Sequence, residues 1–274
     1  MKRRDFIELA GGTFAGATLS SFTTEKNIMA DSKRKIVAFG AGTNPPFLNY
    51  IAKLTSKNQP RLCFLPTASA DSQTSIISWY ETCAALDVKP FVQKMFINSY
   101  DQKQSFEEVL LSMDAIIVGG GNTLNMMAIW KAQGVDVILR TAWDNGIVLG
   151  GGSAGSLCWF EEGTTDSRPK EISKVNGLGF IKASHCPHYD SEPTRRPLYH
   201  SYIKSKEFKA GYACDDRAAI YFEDNGIISR WNHHWCKSRT DIEIENEKRT
   251  SAQRVHGYPV FSFRLLSSFG NSKS

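Results

Sequence analysis

Two short apolar runs each stop at three consecutive glycines and then open into a helical stretch. They are Ala115-Ile116-Ile117-Val118 before Gly119-Gly120-Gly121-Asn122-Thr123, and Ile147-Val148-Leu149 before Gly150-Gly151-Gly152-Ser153-Ala154-Gly155. An uninterrupted apolar run of this length marks a strand covered on both faces, and glycines at its end let the chain turn sharply into a helix. Similar strands are expected at 36–40, 61–66 and 91–96, with helices at 74–86, 124–133 and 135–145. A Ser/Thr/Asp-rich loop before residue 74 suits a helix cap. Alternating strands and helices imply an α/β fold in which one mostly parallel sheet lies between helical layers. Beyond residue 180 the pattern loses regularity, and beyond 239 no element can be assigned.

Composition narrows the class further. With 41% hydrophobic and 22% charged residues in 274, the chain has enough apolar material for one large core, which excludes disorder, collagen and coiled coil. The net charge of +5 comes from 33 basic and 28 acidic residues that are interspersed, so no basic stripe points to nucleic acid. Six cysteines are scattered without a CxxC pair, which argues against a zinc ribbon or a dense disulfide framework. Residues 1–30 stand apart. Met1-Lys2-Arg3-Arg4-Asp5-Phe6-Ile7 precedes a charge-free, small-residue run from Leu9 to Leu19, far short of the ~20 residues a membrane span needs. This is the layout of an export leader, and the paired arginines resemble a twin-arginine signal. No clean A-x-A follows, and Asn27-Ile28-Met29-Ala30 is the best candidate cleavage region.

The glycine turns also carry chemistry. Gly151-Gly152-Ser153-Ala154-Gly155 fits G-x-S-x-G on a strand-to-helix elbow. Such an elbow lifts the serine hydroxyl clear of the sheet, and the next N–H, from Ala154, faces a developing oxyanion. The turn at Gly119-Gly120-Gly121 frees further amides for a second donor. No G-K-[ST] follows it, and Gly40-Ala41-Gly42 is too short for a dinucleotide fingerprint. A serine nucleophile needs a base, and the histidines are His185, His188, His200, His233, His234 and His256. His185 and His188 have a spacing open to metal ligation, but no third ligand cluster accompanies them, so no metal site is expected. His233 and His234, between Trp231 and Trp235, suit packing or surface better than chemistry. The orienting acid is one of Asp166, Asp190, Asp215 or Asp216, and spacing does not choose among them.

Taken in order, Val118-Gly119-Gly120-Gly121-Asn122-Thr123, Gly152-Ser153-Ala154-Gly155-Ser156 and Cys186-Pro187-His188-Tyr189 resemble the peptidase E (aspartyl dipeptidase) family, over about residues 35–224. That family shares its fold with class I glutamine amidotransferases and cyanophycinases. The resemblance implies a single flavodoxin-like, three-layer α/β/α domain over 31–274. It implies Ser153 as nucleophile, His188 as base, and Gly120 or Gly121 joining Ala154 in the oxyanion hole. Gly211-Tyr212-Ala213-Cys214-Asp215-Asp216 loosely matches the family's acidic segment, implying Asp216 as the acid. Asp166, in Gly163-Thr164-Thr165-Asp166, is the alternative. Thr194-Arg195 matches a family T-R, which implies that Arg195 pairs with a substrate carboxylate. The other reading of Arg195 and Arg196 is a solvated loop pair.

The expectation is therefore a serine peptidase acting on small peptides, chiefly dipeptides with N-terminal aspartate, without metal or organic cofactor. Serine at the elbow argues against glutaminase chemistry, which uses a cysteine thiolate. Two rivals remain: a cyanophycinase-like hydrolase of β-aspartyl linkages, and a non-catalytic binding module on the amidotransferase-like scaffold. Expected partners are a peptide substrate and, through the leader, the twin-arginine export machinery, with no nucleic acid and no stable membrane span. A homodimer is compatible with the sequence. The expected location is the periplasm or outside the cell if the leader acts as one, and otherwise the cytoplasm. Exchanging Arg3 and Arg4 for lysine should retain the precursor in the cytoplasm on cell fractionation, and an unchanged distribution would remove the leader hypothesis.

Overall fold

The computed structural model describes residues 33–96, 102–224, 226–232 and 264–266. The expected leader at residues 1–30, and His233, His234, His256 and Cys236, lie outside them. The parallel strands form where the apolar runs predicted them: β1 (Lys35–Phe39), β2 (Arg61–Leu65), β4 (Ala115–Val118) and β5 (Val148–Gly152). Their alternate residues serve opposite cores. Ile36, Ala38, Cys63, Leu65, Ile116 and Val118 face one cluster, while Val37, Phe39, Leu62, Phe64, Ala115 and Ile117 face the other. Helices α1 (Pro45–Leu54) and α2 (Gln73–Ala84) cover the second cluster with Phe47, Leu48, Ile51 and Trp79. Helices α3 (Phe106–Leu110), α4 (Thr123–Gln133) and α5 (Val135–Asp144) cover the first with Leu110, Met126, Trp130, Leu139 and Trp143. This is the three-layer α/β arrangement.

Local chemistry sets the helix starts. Asn44 caps α1 by accepting the Phe47 N–H at 3.2 Å, with prolines at the first two helical positions. Ser105 and Glu108 form a capping box on α3, and Asn122 caps α4 through the Asn125 N–H at 2.9 Å. The Ser/Thr/Asp-rich loop behaves otherwise. Ser72 makes no side-chain cap on α2; the loop coils into a 3-10 turn at Thr67–Ser69 instead. The Ala68 carbonyl from that turn accepts the Asn122 N–H at 2.8 Å and so fixes the first glycine loop.

Two expectations need correction. The strand expected at 91–96 is β3 (Lys89–Val92), because the Asp71 carboxylate draws the Met95 and Phe96 amides away from sheet pairing, both at 2.6 Å. The single expected sheet is two. The seven-stranded sheet has order β11-β10-β1-β5-β4-β2-β3, with β10 (Ala218–Glu223) and β11 (Gly226–Asn232) antiparallel at its edge. A second sheet runs β12-β9-β8-β6-β7, from β6 (Phe160–Thr165), β7 (Ser173–Asn176), β8 (Ile181–Cys186), β9 (Gly211–Ala213) and β12 (Arg264–Leu266). Its members are short and partly polar, as in Ser-Lys-Val-Asn and Gly-Tyr-Ala, which conceals them from apolar patterning. Helix α7 (Arg195–Lys204) packs Tyr199 and Ile203 against Cys186 and Ala213 of this sheet. Among the described residues, no helix is long and apolar enough to cross a membrane.

Candidate active site

The site gathers at the C-terminal ends of the parallel strands, where α/β sheets hold their ligands. Strand β5 ends at Gly152, and α6 (Ala154–Leu157) begins after a single residue, Ser153. Ser153 has φ 56° and ψ −119°, a conformation costing about 1–3 kcal/mol for a residue with a Cβ. The turn is tight because glycines leave room. A Cβ on Gly155 would lie 2.1 Å from the Val118 carbonyl oxygen, and one on Gly151 would lie 2.4 Å from that of Gly155. The second glycine turn sits alongside. A Cβ on Gly120 would lie 3.7 Å from Ser153 Oγ, and Gly121 has φ +135° with its Cβ position 2.3 Å from the Ala68 carbonyl. The amides of Gly120, Gly121 and Ala154 have no acceptor among the described residues.

The second sheet delivers the other groups. His188 follows β8 and Asp216 follows β9, and the two loops are tied by backbone bonds. Cys214 N–H donates to Cys186 O at 3.0 Å, and Tyr189 N–H to Cys214 O at 3.1 Å. The Asp216 N–H also donates to Asp190 Oδ1 at 3.0 Å. His188 Nδ1 lies 2.7 Å from Asp216 Oδ1, and Nε2 lies 2.8 Å from Ser153 Oγ. An ionised carboxylate only accepts, so Nδ1 carries the proton and Nε2 offers its lone pair to the Ser153 hydroxyl. His188 is itself at φ 53°, which aims its ring between serine and acid. Such a relay can take the hydroxyl proton as the oxygen attacks, and amides without an acceptor of their own could donate to the oxyanion.

The remaining candidates are placed differently. Asp166, the alternative acid, lies beside Arg195 rather than His188, with Oδ1 3.5 Å from Nη2. Arg195 is not a solvated loop residue. It is 2% exposed at the start of α7, with Nε donating to Glu192 at 2.6 Å and Nη1 to the Thr164 carbonyl at 2.9 Å. A cleft of about 760 Å³ opens on this side, lined by Asp166, Arg168, Lys170, Glu192, Thr194 and Pro197 among others. Neither Ser153 nor His188 lines it. Sequence reasoning had no signal for the role of Asp190 as a brace, because its partner is a backbone amide in a distant loop.

Among the described residues, no thiol competes with the serine: all five cysteines are buried. Burial pushes Cys186, two residues before His188, up to about 12, and holds Cys158 on the elbow helix well above its ordinary value. The pair His185 and His188 does not converge as metal ligands would. His185 Nδ1 donates to the Tyr212 carbonyl at 3.0 Å and Nε2 meets Ser156 Oγ at 2.9 Å. Burial drives the His185 pKa down to about 3, helped by the positive charge of Arg195 and by His188, against the raising effect of the Tyr212 carbonyl. The ring is therefore neutral when folded but binds a proton near pH 6.5 when unfolded. Stability from this group is complete above that value and is lost as pH falls from about 6.5 towards 3. Urea unfolding from pH 7 to 4 should show this as a slope approaching one proton, absent in His185→Phe; equal slopes in both proteins would refute it.

Comparisons with known proteins place the chain in a family. The profile of peptidase family S51 matches residues 36–230. A protein of Bacillus subtilis (strain 168) named as an uncharacterized peptidase, YgaJ, is 45% identical over 201 residues, covering 71% of this chain and 86% of that protein. Two crystal structures share the fold. One is a provisionally named peptidase E protein from Listeria monocytogenes EGD-e, with TM-score 0.57, 17% identity, 73% of this chain and 99% of that one. The other is a peptidase from an acI-B1 actinobacterium, with TM-score 0.58, 14% identity, 71% of this chain and 86% of that one. The glycine turns, the serine elbow and the histidine loop all fall within the matched span, and the chain belongs to peptidase family S51.

Proposed function

We propose that this peptidase is a serine dipeptidase that hydrolyses short peptides with N-terminal aspartate through an acyl-enzyme. The observation that carries this reading is the unbroken relay from Ser153 Oγ through His188 to Asp216, at 2.8 and 2.7 Å. Beside it lie amides from both glycine turns with no acceptor of their own among the described residues.

In this mechanism His188 Nε2 accepts the Ser153 proton while Oγ attacks the scissile carbonyl carbon. Asp216 stabilises the imidazolium and keeps Nδ1 protonated. The amides of Ala154 and of Gly120 or Gly121 donate to the oxyanion. Collapse expels the amine, to which His188 returns the proton, leaving an ester on Ser153. Water then attacks that ester, giving its proton to His188, and the carboxylic acid departs with Oγ–H restored.

Arg195 supports the choice of an acidic residue at the substrate N-terminus. Its contact with Asp166 at 3.5 Å is looser than those with Glu192 at 2.6 Å and the Thr164 carbonyl at 2.9 Å, so it is the one a substrate carboxylate would replace. Ser153→Ala should lower hydrolysis of Asp-X dipeptides by about ten-thousand-fold or more, with unchanged far-UV circular dichroism. Activity near wild type in that variant would sink the mechanism. Faster turnover of β-Asp-Arg than of α-Asp dipeptides by the wild type would transfer the assignment to β-aspartyl hydrolysis.

A further inference from the structure

A second serine–histidine contact lies beneath the first. Ser156 follows Ser153 by three residues and His185 precedes His188 by three, so the same two segments are joined twice. Ser156 Oγ and His185 Nε2 are 2.9 Å apart, and Ser153 Oγ and His188 Nε2 are 2.8 Å apart. The inner pair differs in burial, since both of its side chains are fully enclosed. The Tyr212 carbonyl can only accept, so it takes the Nδ1 proton of the neutral His185 ring, and Nε2 is left to accept the Ser156 hydroxyl. The Ser153 carbonyl, 2.8 Å from the same hydroxyl oxygen, already accepts the Ser156 and Leu157 amides and does not require that proton. The ring itself cannot swing, because it stacks on Phe160 with centroids 4.3 Å apart and planes 8° from parallel.

We propose that His185 is a positioning residue, which acts through Ser156 to hold Ser153 Oγ at attacking distance from His188. The elbow needs such a hold. Helix α6 spans only four residues, too few to keep its own conformation, and Ser153 sits in a costly region of backbone space. The Gly151 and Gly155 contacts fix how closely the elbow approaches β4, but they do not tie it to β8. The Ser156–His185 bond is a side-chain hydrogen bond from α6 to β8, the strand that precedes His188. A satisfied core pair with no such duty would also be buried and bonded. The two differ in one respect: an apolar pair of the same shape replaces a merely structural bond at little cost, but it does not fix the relative height of elbow and strand.

This rests on the reading of Ser153 as nucleophile, so the assay must report that separately. A fluorophosphonate probe does so without reference to the peptide substrate. Ser153 Oγ attacks phosphorus, fluoride leaves, and His188 takes the hydroxyl proton. Second-order labelling rates would be measured for wild type, Ser156→Ala and the double variant Ser156→Ala/His185→Phe, alongside their thermal midpoints. Both variants should label about ten- to a hundred-fold more slowly, in keeping with the cost of a small misplacement of a reacting atom. The double variant no longer buries the Nε2 that Ser156→Ala leaves without a donor, although the Tyr212 carbonyl loses its Nδ1 partner, and it should regain midpoint relative to Ser156→Ala without regaining rate. Labelling of Ser156→Ala within two-fold of wild type, or a rate that recovers in step with the midpoint, would overturn the proposal. Should the double variant fail to fold, the Ser156→Ala rate alone decides. A wild-type protein inert to the probe would sink the nucleophile reading and this proposal with it, whereas a reactive wild type with equally reactive variants sinks only the proposal.

Discussion

The close approach of the elbow helix to the strand ends is the constraint on which the site depends. Gly155 sits where a Cβ would be 2.1 Å from the Val118 carbonyl and 3.0 Å from that of Gly119. Gly151 sits where one would be 2.4 Å from the Gly155 carbonyl and 2.8 Å from that of Val118. These contacts are backbone to backbone, so no side-chain adjustment could relieve them. With them, α6 packs closely on the ends of β4 and β5, and the Ser153 hydroxyl lies beside Gly120. The apolar cores on either face of the sheet keep β4 and β5 in register, from Ala115 opposite Val148 to Val118 opposite Gly151. The geometry of the serine elbow thus follows from an absence of side chains as much as from the presence of a serine.

The second sheet supplies what the first cannot. Strands β8 and β9 run parallel and release His188 and Asp216 from neighbouring ends, Cys186 pairing with Ala213 at the last step. Three further bonds between these loops hold Asp216 and His188 to one another. The histidine therefore meets the serine across a junction between two sheets, and a buried serine–histidine bond crosses the same junction below it. A site assembled from two separate sheets is only as exact as that junction.

The parallel strands and the elbow were legible in the sequence because they are written in local pattern: unbroken apolar runs, glycine triplets, and a serine between small residues. The choice of Asp216 over Asp166 came from a resemblance and not from spacing, since both follow Ser153 and neither position is encoded locally. Geometry separates them. Asp216 leaves β9 beside the histidine loop, while Asp166 leaves β6 beside Arg195. The second sheet was not legible, because strands of three to six residues with lysine, asparagine and serine in them lack an apolar signature. The early end of β3 was hidden for a related reason: the Asp71 carboxylate that captures its following amides is distant in sequence. His185 was legible only as a spacing, since its partners Ser156, Tyr212 and Phe160 meet it in space.

The central claim is that Ser153 becomes covalently acylated with His188 as its base. It is tested most directly by mixing the protein with an activated acetyl ester, quenching in acid, and mapping the modified peptide by mass spectrometry. One acetyl group is expected on Ser153 in the wild type and none there in His188→Ala. Acetylation confined to another residue, or peptide hydrolysis by a protein whose Ser153 never carries an acyl group, would contradict it.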